Sequence, residues 1–298
     1  MKTNLPGSPG TGGSAIRDAL HRKHIRWFLV WTSAMAVVWL WDALFLNRPA
    51  FLQIQRGTLH STFAAVAVVL FSLLLGWGTG IALYFLERRN RRFLYLSLTF
   101  ILNGARSIPQ IVGMLIGYIA LTLFMRKGFV TDPRVQILWM ALIISVFAFQ
   151  ELADVVRERI AYYQRTDFFQ AMLCCGISES RIVNREILWK NSLGHIVHKL
   201  ISIFGIAIFL QCSIDFIISV GLSTDVSLTN FPETLGSLLA TMDSKQDVLA
   251  ISTVFSDISY AGALLFTHLQ GISISFIIVF SLLCIYQIAN GLVQRYRL

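Results

Sequence analysis

Apolar positions gather into six long runs along the chain. They cover approximately residues 27–46, 62–86, a stretch within 93–124, then 135–153, 196–220 and 272–292. Each is long enough to cross ~30 Å of hydrocarbon as a helix rising ~1.5 Å per residue. None alternates with period two, as a barrel strand would. Lipid offers no partner to open backbone groups, so a helix is the form that such runs take. The pattern predicts an all-α membrane protein with six transmembrane helices.

The third run is too long for one simple crossing, and it contains Asn103, Gly104, Arg106 and Pro109. A guanidinium at mid-bilayer is costly. Two readings meet that constraint. Residues 93–105 lie along the inner interface and the crossing starts near Ser107, with Pro109 in the first helical turn, where its missing N–H matters little. Alternatively, one long tilted helix carries a proline kink.

The polar stretches between the runs set the orientation. Residues 1–25 begin with a Gly-, Pro- and Ser-rich segment that reads as a flexible tail, then carry Arg17, Arg22 and Lys23 ahead of Arg26. That order resembles a signal peptide. The apolar run is long, however, and no small-residue cleavage site precedes Asp42, so the first helix is expected to be retained. With the tail inside, 18 of the 25 Lys and Arg fall on the inner side and 6 on the outer, which places both termini in the cytoplasm. The outer stretch 223–271 carries Asp225, Glu233, Asp243, Asp247 and Asp257. Short helices at 234–242 and 247–254 are expected there, as a contact for an external protein or a lid.

Composition agrees. Of 298 residues, 55% are hydrophobic and only 14% charged, against about 25% charged in soluble domains. Mean hydropathy is +0.65. An ordinary soluble enzyme is excluded, as is disorder over most of the chain. The net charge of +9 would suggest nucleic acid on a soluble protein. Here the charges orient the chain, and the expected contact is membrane lipid, with no nucleic acid. Cys174, Cys175, Cys212 and Cys284 lack metal spacing and read as reduced packing residues. The chain has no GxxxxGK[ST] run, no HExxH and no close Cys/His cluster. No catalytic or metal-binding residue is assigned, and no enzymatic activity is expected of this chain.

The inner loop 157–195 is patterned. Phe168, Phe169, Met172, Leu173 and Ile177, then Ile182, Val183, Ile187 and Leu188, recur at near-helical spacing among charged residues. Gly176 interrupts the run, and Ser178 is positioned to cap a helix starting at Glu179. Two short helices joined by a glycine turn are expected on the inner face, their apolar positions calling for a partner.

The segment Gln170-Ala171-Met172-Leu173-Cys174-Cys175-Gly176, followed by Ile187-Leu188, resembles the coupling-loop signature of binding-protein-dependent ABC importer permeases. That signature reads Glu-Ala-Ala, three residues, Gly, then about ten residues to Ile-Leu-Pro. Gln170, Met172 and Trp189 depart from it. Gly57-Thr58-Leu59 with Ser61-Thr62 resembles the start of the type-1 transmembrane domain, and Arg106-Ser107-Ile108-Pro109 the Arg-x-x-Pro start of its next span. Ser213-Ile214-Asp215-Phe216, Gly221-Leu222-Ser223 and 234–240 resemble the oligopeptide/dipeptide/nickel branch, C-type subunit. Gly271-Ile272-Ser273-Ile274 and Asn290-Gly291-Leu292 resemble its final span. The likeness covers about residues 57–292.

The resemblance implies a type I ABC importer permease architecture: a first helix with its outer linker (26–56), the permease domain (57–292) and a cytoplasmic tail (293–298), in the cell inner membrane. It implies a second permease subunit, identical or different, and two cytoplasmic ATPase subunits that carry ATP and Mg, so that this chain binds no cofactor. It also implies an external binding protein that delivers a small solute, most directly a peptide. Coupling to the ATPase falls on Phe168, Phe169, Gln170, Ala171, Met172, Gly176, Ile187 and Leu188. Polar residues within the runs are the pathway candidates: Asn103, Gln150, Gln211 and Asp215. Gln211 also lies one turn from Asp215 and could bond it. Glu151 and Asp154 read as solvated at the inner interface, and His195, His198 and Lys199 as a basic span end. Rival readings are permeases for phosphonate, amino acids or metal, a non-transport membrane scaffold, and a membrane-embedded enzyme, for which no paired catalytic groups stand out.

Overall fold

A computed structural model describes residues 23–219, 231–241, 253, 256–259, 262, 266 and 269–296. The expected tail before position 23, the likeness at 221–223, nearly all of the outer helix at 247–254 and the last two residues lie outside this set.

The described residues make an all-α, multi-pass membrane protein with no strand among them. In chain order the helices are α1 (Lys23–Phe45), α2 (Arg48–Arg88), α3 (Arg92–Ser107), α4 (Gln110–Arg126), α5 (Pro133–Gln164), α6 (Asp167–Cys174), α7 (Leu193–Ser219), α8 (Leu235–Thr241) and α9 (Leu269–Tyr296). A single turn, Glu179–Arg181, and a π-helical run, Ile182–Asn191, stand between α6 and α7. Five helices are long and apolar enough to span (α1, α2, α5, α7 and α9), and α3 with α4 meets the same length and composition only as a pair, bent by 96° at the break between them. The side bearing the Arg-rich turn before α3 and the loop around α6 is called the basic side below.

Two helices outrun their apolar stretches. α2 begins at Arg48 instead of near residue 62, because Asn47 caps it by accepting the Ala50 N–H and Pro49 sits in its first turn. Its 41 residues extend about 60 Å, twice the hydrocarbon thickness. α5 begins after Asp132, whose side chain accepts the Arg134 N–H, and continues to Gln164. It therefore carries its helical register out of the membrane toward the loop.

The break before α4 follows the first of the two readings of the third run. α3 ends at Ser107, Ile108 is extended and Pro109 caps α4, one position ahead of its expected place in the first turn.

α5 is the centre of packing. Met140, Ala141, Ile144, Ala148, Leu152 and Val156 have no exposed surface. Two glycine pairs at four-residue spacing bring neighbours onto it, Gly76 and Gly80 from α2, and Gly113 and Gly117 from α4. A side-chain carbon at Gly80 would stand 2.6 Å from Val156 Cγ1, and one at Gly76 2.9 Å from the Phe149 carbonyl. At Gly113 and Gly117 it would collide with Phe147 and Ile143, at 2.2 Å and 2.4 Å. Small residues are the means by which helices approach in lipid, where no hydrophobic effect drives them together.

α1 and α9 are joined by a glycine contact, where a side-chain carbon at Gly291 would stand 2.8 Å from the His24 N, and by side-chain bonds. The Trp31 indole donates to Ser281 Oγ at 3.0 Å, and the Ser273 hydroxyl donates to buried Asp42 at 2.6 Å.

Gly80→Ala should lower stability by about 1–3 kcal/mol through overpacking against Val156. Gly78→Ala, whose new carbon meets nothing within 4 Å, should hold or raise stability by its helix propensity. Thermal unfolding of both variants in detergent checks the contrast.

Candidate functional site

The loop after α5 folds as a bracket. α6 ends in a Schellman turn: the Gly176 N–H donates to Leu173 O at 2.9 Å and the Ile177 N–H to Met172 O at 3.2 Å. Gly176 sits at φ +77° with open space around it, so the backbone conformation, rather than crowding, requires glycine. The next helix starts at Glu179 as expected, but the Ser178 side chain caps nothing. Its carbonyl accepts the Arg181 and Ile182 N–H groups instead. Beyond it the ladder widens to π-helix. Ile182 and Val183, followed five positions later by Ile187 and Leu188, all point into the core.

Polar ties fasten this bracket to the spans. The Glu179 carboxylate accepts the Tyr84 hydroxyl and pairs with Arg88 Nε at 3.2 Å. Gln164 donates to the same tyrosine oxygen at 3.1 Å. The Trp77 indole donates to Asn184 at 3.0 Å, and Arg159 to Ser192 at 3.2 Å. The loop is thus held to both α2 and α5.

The coupling candidates separate by burial. Phe169 is 2% exposed, and Ile187 and Leu188 are fully buried, all within the chain's own core. Phe168, Gln170, Ala171 and Gly176 are exposed, and Met172 is half-buried. A partner meeting α6 would therefore touch Phe168, Gln170 and Ala171, while Phe169, Ile187 and Leu188 hold the bracket in place.

The pathway candidates divide in space. Asn103 is exposed on α3. Gln150 is buried midway along α5, where it accepts from Arg106 Nε at 3.1 Å, and Arg106 also reaches Asp154 at 2.5 Å. Neighbouring Glu151 pairs with Lys199 at 2.6 Å. Arg106 thus pins the C-terminal end of α3 to the middle of α5.

Gln211 and Asp215 lie toward the other end of α7, both buried. The possible bond between them is replaced by one to α8. The Thr234 hydroxyl donates to Asp215 Oδ2 at 2.6 Å, and the Leu235 N–H donates to Ser61 Oγ on α2 at 2.9 Å. Thr234 and Ser237 cap α8 reciprocally, each side-chain oxygen accepting the other's N–H. A side-chain carbon at Gly236 would stand 2.7 Å from both Asp215 Oδ2 and Cys212 Cα, so only glycine lets α8 seat this deeply. Gln211 Nε2 and the Tyr118 hydroxyl are buried without a hydrogen-bond partner among the described residues. α8 matches the outer helix expected at 234–242, but its first half is buried in the bundle.

Sequence reasoning missed Ser61, Thr234 and Asp42 as members of buried polar contacts, and Tyr118 as a buried hydroxyl. For Asp42 the signal was present, a carboxylate inside an apolar run. Among the described residues no group of three or more His, Cys, Asp or Glu could hold a metal ion. No family model matches the sequence, and no curated protein matches it either.

Phe169→Ala should cost about 3–5 kcal/mol, as large-to-small changes of a buried aromatic do. Phe168→Ala should cost no more than about 0.5–1.5 kcal/mol, the worth of its edge contact with the Tyr163 ring. Denaturation midpoints of the two purified variants distinguish a structural phenylalanine from a displayed one.

Proposed function

We propose that this chain is the transmembrane permease subunit of a binding-protein-dependent ABC importer for a small solute, most directly peptides. The observation that carries the reading is the bracket on the basic side. α6 and its glycine turn are fixed to the spans from beneath and display Phe168, Gln170 and Ala171 outward. A handle of this kind transmits force only if it is stiffly attached. Buried Phe169 and the Glu179, Tyr84 and Arg88 contacts supply that attachment.

The chain carries no phosphate-binding loop, so ATP and Mg belong to two separate cytoplasmic ATPase subunits. Closure of the ATPase pair pulls on α6. The pull passes through the bracket to α2 and α5, which move together because glycine contacts lock them. The bundle and a second permease subunit then exchange inward-open and outward-open packings. An external binding protein delivers the solute on the far side. The 18-to-6 distribution of Lys and Arg supports a cytoplasmic basic side in the cell inner membrane.

The test is site-directed crosslinking in native membranes. Ala171→Cys, with Cys174→Ser and Cys175→Ser, should capture an ATP-hydrolysing polypeptide, while Val135→Cys at the far end of α5 should not. Absence of such an adduct, or labelling of Ala171→Cys by an impermeant reagent applied to intact cells, would overturn the reading.

A further inference from the structure

We propose that the turn between α2 and α3, with α3 itself, is a docking site for anionic phospholipid in the leaflet on the basic side. Arg88, Arg89, Arg91 and Arg92 fall within five positions. Asn90 turns the chain between them at φ 54°, a conformation that asparagine tolerates. Arg88 is engaged by Glu179, and Arg89 lies over the Phe85 ring at 5.9 Å. Arg91 and Arg92 are exposed, and no acid among the described residues pairs with them.

The placement of α3 supplies the other half of the site. Its first residue follows this turn, and its last turn is tied through Arg106 to Gln150 and Asp154. α3 is therefore held to the bundle at both ends, from the Arg-rich turn on the basic side to the middle of α5, and it meets α4 at a 96° bend. Tyr95, Leu98 and Leu102 pack inward around Leu83 and Phe149. The outward stripe is apolar and open: Phe93 is 80% exposed, Leu96 63% and Phe100 79%.

A bare apolar stripe that starts beside two exposed, unpaired guanidiniums on the basic side is complementary to an anionic lipid. The phosphate of an anionic lipid lies against Arg91 and Arg92, and its acyl chains lie against Phe93, Leu96 and Phe100. A zwitterionic lipid fits the stripe but lacks the net charge.

The experiment is native mass spectrometry of the full-length protein, with any subunits that co-purify, in an equimolar mixture of phosphatidylglycerol and phosphatidylcholine with matched acyl chains. The wild type should retain phosphatidylglycerol preferentially. Arg91→Gln with Arg92→Gln should lower that preference by about 30-fold, from about 1 kcal/mol per basic residue at the surface. Arg165→Gln with Arg181→Gln, an equal loss of charge on exposed parts of the loop, should leave it intact. Phe93→Ser with Phe100→Ser should weaken retention of both lipids without altering the preference. Equal loss of preference in the two arginine pairs, or no loss in the first, would overturn the proposal. So would a protein crosslinked to Phe100→Cys in place of lipid.

Discussion

The structure depends on how closely α2 and α4 approach α5. In lipid, side chains gain nothing by leaving the solvent, so helices hold together through surface fit and internal hydrogen bonds. Four glycines supply the fit, with would-be side-chain carbons 2.2 to 2.9 Å from atoms of α5. Because α5 also runs past the membrane to Gln164, the surface that organises the spans is the one from which the loop is hung. Packing at mid-membrane and the position of α6 are one mechanical fact.

The spans were legible because the hydrophobic run needed to cross lipid leaves a strong signal. Their ends were not, because hydropathy marks where lipid stops and not where the helix stops. Residues 48–61 contain Arg48, Gln53, Gln55, Arg56 and His60, too polar for hydrocarbon yet fully helical. The Asn47 and Pro49 signal, a cap followed by a proline, marked the true start and could have been read. The bend before α4 was one of two readings, and a charged Arg106 followed three residues later by a proline was the signal for it.

The loop was legible as two elements around a glycine, and its side-chain roles were not. Apolar spacing shows that a face will be buried without saying by what. Phe169, Ile187 and Leu188 found their cover within the chain, and the exposed remainder is mostly polar or small. The π-helical run leaves no composition signal, because the five-residue interval of its buried pairs is close to the α-helical one. Gln211 and Asp215 show a similar limit. Their spacing on one helix suggested a mutual bond, but a helix distant in sequence offered a hydroxyl in better position.

The two faces of the bundle are closed by different chemistry. On the basic side the ties are ionic and partly wet: Arg88 with Glu179, Arg106 with Asp154, Lys199 with Glu151. Such pairs are individually weak in high dielectric and can exchange partners at little cost. Toward the other side the ties are buried carboxylates that each accept one hydroxyl, Asp42 from Ser273 and Asp215 from Thr234. Each joins elements remote in sequence, the first span to the last and α7 to α8. Away from water, losing that hydroxyl leaves a polar group with no substitute partner, so these joints are either closed or opened to water as a unit. A bundle built this way has a compliant end and an all-or-none end.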